Sequence, residues 1–498
     1  MNKNRNSSVN IKSNLIDVVP GDYFEGTVKI MRKVKPGPVI FLVSDGIKSV
    51  DAVIKDSSFE ENDVVAIKGA VSERAGKLQI EIDDISKSEK DFDKIIEQIS
   101  YPKRTDFSIK SERYEKMKPR FLEIAKRIRK AIFENQPILI RHHNDSDGIN
   151  SGLAIEQSCK GLMEEVGINP DYNLYRSPSK APFYEVTDVF KDITLAKRLT
   201  ENHGQKKPLF LVLDNGSTPE DSFGFKSLSA LGYEAIVIDH HNPVILKDGK
   251  TSVCPYLSYH LNPYIFGLDS QTSAGMLSYE MGRMIYEKYE NKISPAVAAI
   301  SDRCVIPETD EYIKNSGLDK ETLTRIGTAI DFVAYQMKFD AGKGLFEELF
   351  TNKQMVDMIN DKVKEGTDTQ LQSALPYLRT QEINGIIFSH IDLEKYTLRF
   401  TYPTPGKVTG MIHDKVALGK ESVPVLTAGY VSDMIIIRAT KPILPVQEII
   451  SRLQKELPEA NVDGGGHEMA GTIKFVPAHL TTILEKIKSI LKEKNLEE

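Results

Sequence analysis

Short apolar runs that break off at carboxylates set the terms for this chain. Pro137–Arg141 leads into His143-Asn144-Asp145-Ser146-Asp147-Gly148, Leu209–Leu213 stops at Asp214, and Ala235–Ile238 stops at Asp239-His240-His241. Runs this short, apolar and without polar alternation suit strands buried on both faces by helices. Helical segments alternate with them, at Asn150–Val166, at Thr272–Tyr289 and around Ala296–Ile300, the last leading to Asp302. Alternation of this kind predicts an α/β domain on a doubly wound parallel sheet, over 136–310. Ligands of such sheets collect beyond the carboxyl ends of the strands, where these acidic residues fall.

The flanks read differently. Residues 1–14 are polar and are expected to be a disordered tail. From 15 to 90 the pattern predicts five strands, Tyr23–Arg32, Val39–Val43, Ser49–Ile54, Val64–Val71 and Leu78–Ile85, punctuated by Gly, Asp and Pro. Five strands with a long first one resemble an OB-like β-barrel, a single-strand binder in many settings and elsewhere a spacer or protein-docking module. Residues 91–135 form a helical connector in which Tyr101–Lys130 carries eleven Lys or Arg against four Asp or Glu. That run is either a solvated helix face or a phosphate-tracking surface. Residues 311–380 read as a helical linker. A smaller α/β domain follows over 381–498, with strands near Gly385–His390, Tyr396–Phe400, Pro424–Gly429 and Met434–Arg438 and helices at Val408–Leu418 and Val446–Glu456. No internal repeat is evident.

Composition narrows the class. With 498 residues, 40% apolar and 27% charged, the chain is long enough for several ordinary globular domains. The net charge of −6 announces no global attraction to nucleic acid. Cys159, Cys254 and Cys304 form no C-x-x-C pair, so neither a disulfide framework nor a zinc knuckle is expected, and a reducing cytoplasm fits. No apolar run approaches the ~18 residues that span a bilayer, so no membrane association is expected.

Paired carboxylates two apart on a strand-to-helix turn can converge on a pair of cations, and hard carboxylates with an imidazole suit manganese or magnesium. Each cluster alone is weak, since D-x-D-G is usually a turn and a strand-end Asp is often a helix cap. Four in order are another matter. HNDSDG, LDNGS, DHH and SDR, followed by GGGHEMAG, resemble the ordered motifs of the DHH phosphoesterase superfamily with its associated C-terminal domain. Within it the chain is most similar to archaeal RecJ-like single-strand exonucleases.

The resemblance implies that Asp145, Asp147, Asp214, His240 and Asp302 hold two divalent ions, manganese preferred and magnesium as the alternative, with Asp214 bridging them. Asp239, His240 and His241 complete the catalytic set: His241 facing the substrate phosphate, Asp239 placed to orient the His240 ring. His143 is either a metal ligand or a contact to substrate. Gly464, Gly465, Gly466, His467 and Arg438 would grip a phosphate or terminal nucleotide in the C-terminal domain. The function implied is hydrolysis of single-stranded DNA or RNA by two-metal activation of water, with replication or repair helicase components as partners. Alternatives in the same superfamily are a nanoRNase or small-nucleotide phosphodiesterase and a replisome scaffold. Hydrolysis of mischarged tRNA, which the associated domain also accompanies, fits the metal set poorly.

Overall fold

A computed structural model of the protein describes residues 10–34, 37–179, 181, 183–247, 249–398, 400–442, 444–467 and 469–493. The chain divides into two compact units, Met1–Leu318 and Asp319–Glu498.

The first unit opens with a barrel. Its strands are β1 (Ile11–Lys12), β2 (Tyr23–Val34), β3 (Val39–Ser44), β4 (Ser49–Ile54), β5 (Val64–Arg74) and β6 (Lys77–Lys87). They follow the order β1-β2-β3-β4-β6-β5, and β5 pairs back onto β2, closing a five-stranded barrel from β2 to β6. β2 serves both ends of the closure. Tyr23–Lys29 pairs with β5 and Lys29–Val34 with β3, around a register irregularity between Ile30 and Arg32 that bends the strand. Phe24, Val28, Phe41, Val43, Val65, Ile67 and Ile80 fill the interior. All five strands expected from the sequence are present. Of the expected disordered tail, residues 1–9 lie outside the described residues, while Ile11–Lys12 pair in parallel with β2.

The helices Phe92–Ile99 and Glu112–Phe133 connect barrel and sheet. Here the basic run resolves. Nine of its eleven cations face carboxylates: Lys103, Arg104, Arg113, Lys118, Arg120, Lys126, Arg127, Arg129 and Lys130. Arg129 is fully buried and donates to the carbonyls of Ile99, Ser100 and Ile285. Most of the run is therefore a solvent-facing lattice of paired charges, with Arg129 alone fully buried, rather than a surplus of unpaired cations.

The central sheet contains β7 (Ile138–His143), β8 (Leu174–Ser179), β9 (Leu209–Leu213), β10 (Glu234–Ile238) and β11 (Tyr259–Leu261) in the order β11-β10-β9-β7-β8. Every pairing is parallel. β7, β9 and β10 are neighbours in register, His142 beside Leu213 and Leu213 beside Ile238, so their carboxyl ends finish level. The helices Ser146–Glu165, Ala274–Ile285 and Ile293–Ser301 pack together there; the first starts earlier than its apolar pattern suggests, because Asp145 caps it by accepting from Gly148 N–H at 3.0 Å.

The second unit begins with helices, chiefly Lys320–Met337 and Lys353–Ala374, followed by a mixed sheet. Its strands are β12 (Arg379–Ile383), β13 (Ile386–Asp392), β14 (Val425–Val431), β15 (Met434–Ala439), β16 (Asp463–His467) and β17 (Ala470–Lys474), ordered β12-β13-β14-β15-β17-β16. Of these, only β13 and β14 run parallel. Apolar residues cover both faces, one against helices Val446–Glu456 and Leu480–Glu493 and the other against Pro405–Ala417. The expected strand Tyr396–Phe400 is absent among the described residues. Asp392 caps a helical turn, Leu393–Tyr396, by accepting from Lys395 N–H at 3.0 Å, and Phe400 lies 88% exposed in left-handed backbone, φ 58°. The strand that flanks β13 on that side is instead β12, which straddles the boundary at 380/381 between the expected helical linker and the C-terminal domain. Among the described residues no helix is long and apolar enough to cross a membrane.

Candidate metal centre

The level strand ends bring the acidic motifs together. At the end of β7, His143 Nδ1 lies 2.9 Å from Asp145 Oδ2 and 3.5 Å from Asp214 Oδ2. His240 Nε2 lies 3.3 Å from Asp214 Oδ1, 3.3 Å from Asp302 Oδ2 and 3.7 Å from Asp147 Oδ2. Among the described residues the side chains thus form three overlapping groups, His143–Asp145–Asp214, Asp147–His240–Asp302 and Asp214–His240–His241, with ligand atoms of each within 4.8 Å of one another. Asp214 belongs to two of them and touches His240 of the third. It follows β9 in left-handed backbone, φ 54°, a conformation Asp tolerates better than most residues.

Three backbone features hold this arrangement. Asp147, 1% exposed, accepts hydrogen bonds from the N–H groups of Ala274 and Gly275, each 2.9 Å, at the N-terminus of Ala274–Ile285. His240 Nδ1 lies 2.8 Å from the Ser270 carbonyl, which fixes Nδ1–H as the donor and turns Nε2 into the acidic group. Asp239 Oδ1 accepts from His240 N–H (2.8 Å), His241 N–H (3.2 Å) and His241 Nδ1 (2.7 Å). Asp239 therefore orients the His241 ring, and the expectation that it orients His240 is corrected: Ser270 does that. Ser270, Ala274 and Gly275 act through backbone groups, and nothing in their side chains signals the role.

Charge explains the remaining geometry. Burial works against protonation of His143, but the carboxylates of Asp145 and Asp214 outweigh it and hold the imidazole well above its ordinary pKa. His240 is raised likewise against burial, by Asp302, Asp214 and Asp147. Burial lifts Asp147 well above the usual carboxylate range, and Asp214 and Asp302 add to it. Asp239 goes the other way: burial would raise it, yet His241 holds it well below that range. Among the described residues both oxygens of Asp214 are buried with no well-formed hydrogen bond, facing only the imidazoles of His143 at 3.5 Å and His240 at 3.3 Å. A buried carboxylate in that condition is costly unless a cation or proton meets it. Oxygen donors with imidazole nitrogens fit divalent manganese or magnesium, so the residues present suit the ions that the sequence motifs imply.

The other expected residues lie in the second unit. Gly464, Gly465 and Gly466 form strand β16 rather than a turn. Gly464 and Gly466 hold φ of 146° and 145°, and a Cβ on either would fall 2.1 or 2.3 Å from a β17 carbonyl oxygen. Backbone pairing alone thus demands two of the three glycines. Arg438 is opposite Ala470, which is opposite His467, so the three share one level of the sheet; the His467 side chain lies outside the described residues. The Arg438 guanidinium donates to the Ile437 carbonyl at 2.9 Å and lies beside Gly406 and Gly410.

Known proteins resemble this chain in sequence and fold. A solved structure of the DHH domain from a member of a family of ribosomal proteins superposes with a TM-score of 0.78 and 36% identity, covering 81% of this chain and 97% of that one. An uncharacterized protein of Methanocaldococcus jannaschii is 34% identical over 508 residues, 92% of this chain and 67% of that protein. RecJ of Thermus thermophilus in complex with Mn2+ aligns with a TM-score of 0.48 and 15% identity, over 75% of this chain and 55% of that one. No protein-family model matches the chain.

Proposed function

The chain belongs to the DHH-domain family, and from that premise we propose that it is a metal-dependent phosphodiesterase that hydrolyses single-stranded DNA or RNA from an end. The observation that carries this reading is Asp214, shared between two ligand groups, with both oxygens buried and, among the described residues, met by imidazoles alone and by no well-formed hydrogen bond. In this reading Asp145, Asp147, Asp214, His240 and Asp302 hold two divalent ions, with His143 added to the ligands of the Asp145 side. When bound, such ions supply an acidified water and neutralise charge on the attacked phosphate. The protein's own groups do the rest. The Ala274 and Gly275 amides hold Asp147 in place, and Ser270 fixes the tautomer of His240. Asp239 holds Nδ1–H of His241, leaving Nε2 for the substrate phosphate.

The N-terminal barrel supports a polymeric substrate. Counted from β2, its strands run in the order 1-2-3-5-4-1 with the third and fifth parallel, the arrangement of oligonucleotide-binding barrels. In the second unit Arg438, His467 and Gly465 would contact a phosphate or the terminal nucleotide. A relative named for a family of ribosomal proteins makes RNA the first strand to test. Helicase components of replication or repair would be its partners.

The test is degradation of end-labelled DNA and RNA of both polarities by the full chain with Mn2+. Mononucleotides should appear, and both Asp214→Asn and chelation should abolish them. Strand binding with no release under any divalent ion would favour the scaffold reading. Faster turnover of a dinucleotide than of a long oligomer would favour the small-nucleotide phosphodiesterase.

A further inference from the structure

Away from the acidic cluster, the first unit contains a cavity of about 170 Å³ whose chemistry the proposed reaction does not use. That is many times the ~10–15 Å³ one water requires. Its inner wall is formed by Tyr279, Arg283 and Tyr312, all at least nine-tenths buried, and its rim by Ser108, Lys292 and Asn315, with the exposed Glu290 beside them.

Arg283 is 7% exposed. Its guanidinium makes one hydrogen bond among the described residues, from Nη1 to Glu280 Oε2 at 3.1 Å, and its Nε has none. Glu280 cannot offer more. The fully buried carboxylate already accepts from Ser108 N–H at 2.9 Å, the Ser108 hydroxyl and the Tyr312 hydroxyl at 2.8 Å. Glu290 is engaged as well, by the Tyr279 hydroxyl at 3.4 Å, Arg104 at 3.7 Å and Lys292 at 3.9 Å. Two cations, Arg283 and Lys292, therefore line the void, with Glu290 beside them and Glu280 behind Arg283, and the deeper cation keeps its Nε buried and without a partner among the described residues. A desolvated guanidinium in that state needs an acceptor, and the planar fork of Arg with a mobile Lys matches an oxyanion with several oxygens.

We propose that this cavity is a second ligand site, which takes a phosphate group, with Arg283 as its buried cation and Lys292 as its rim cation. The site is separate from the acidic cluster. Arg283 lies nine residues after Ala274, whose N–H holds Asp147, so ~14 Å of helix separates them at 1.5 Å per residue. Lys292 likewise precedes the helix Ile293–Ser301, which ends at Asp302. Two helices thus run from the cavity to the cluster.

The test is calorimetric titration of the full chain in chelator, with inorganic phosphate in one arm and adenosine monophosphate in the other. Saturable binding is expected in at least one arm, equal in wild type and Asp302→Asn. Lys292→Glu should weaken it about ten- to hundredfold, the value of a charge-assisted contact. The position is exposed and at a helix start, where an acidic residue is tolerated, so the fold should survive. Arg283→Lys, which keeps the charge beside Glu280 but loses the fork, should weaken it as well. Tighter binding of the nucleotide would identify a nucleoside phosphate as the source, and equal or exclusive binding of inorganic phosphate would identify the free ion. Absence of saturable binding in both arms, unchanged affinity in Lys292→Glu, or a loss in Asp302→Asn equal to that in Lys292→Glu would each overturn the proposal.

Discussion

Gly275→Ala should damage the metal centre through a single methyl group. A Cβ at this position would fall 2.4 Å from Ala298 Cβ and 2.8 Å from Asp147 Oδ1. Non-bonded carbons rest about 3.5–4.0 Å apart, so the helices Ala274–Ile285 and Ile293–Ser301 would have to separate by roughly 1 Å. Overpacking of that kind costs about 1–3 kcal/mol. The same carbon crowds the oxygen that Gly275 N–H holds, and loss of a ligand's supporting contact lowers metal affinity about 10- to 100-fold. Titration with Mn2+ and thermal unfolding would be measured for wild type, Gly275→Ala, Ala298→Gly and the double variant. Ala298→Gly alone costs about 1 kcal/mol as a glycine in a helix, yet it removes the opposing carbon. The double variant should therefore be more stable than the two single losses add up to, by about 1–2 kcal/mol, while its Mn2+ affinity stays low because the contact with Asp147 persists. Wild-type Mn2+ affinity in Gly275→Ala would refute the claim that this amide pair positions Asp147. Full recovery of affinity in the double variant would assign the loss to helix displacement instead.

Other outcomes follow from individual contacts. Asp239→Asn keeps an acceptor for the two backbone amides but loses the charge that pairs with His241; Mn2+ binding should persist while turnover falls by about 10²–10⁴-fold, the scale of an acid–base contribution. Arg129→Met strands three backbone carbonyls and should destabilise the first unit by about 3–5 kcal/mol, with the affinity of the folded protein for single strands unchanged in a filter-binding assay. His260 is pushed down to about 4 by burial, with Ser217 Oγ 2.9 Å from its Nε2. The unfolded chain, with a His pKa of about 6.5, binds more protons between these values, so stability is complete above pH ~6.5 and roughly 3 kcal/mol is lost as pH falls through the window. In denaturant titrations between pH 7 and 4, His260→Asn should show a correspondingly shallower decline.

Where the sequence spoke clearly, side-chain hydrophobicity was the signal. Leu209–Leu213 and Ala235–Ile238 can only be buried strands, and a carboxylate following such a strand must emerge at its end, so the approach of Asp145, Asp147, Asp214 and His240 to one sheet edge was legible in the pattern; Asp302, which ends the helix Ile293–Ser301, joined them only through the motif resemblance. Backbone roles were not. Ser270 contributes a carbonyl and Ala274 an N–H, groups that every residue but proline shares. The Tyr396–Phe400 segment has strand-like composition, yet a single capping carboxylate, Asp392, diverts the chain into a helical turn. The true neighbour of β13 was announced by Asn384-Gly385, a dipeptide suited to the positive φ of a tight hairpin, which the charged flanking residues obscured. The basic connector misled for another reason. A count along the chain sees Arg127 but not Glu234, which is 107 positions away and binds it through two nitrogens.

Closure of the N-terminal barrel has a consequence for recruitment. A sheet that joins its own ends leaves few spare amides and carbonyls, and the short β1 already occupies part of what remains beside Tyr23 and Phe24, so an extended peptide finds little edge on which to become an extra strand. What docks on this module is then read chiefly by side chains and loops. Its specificity is then open to change by point substitution on the outer surface, without disturbing the ladder that keeps the module folded.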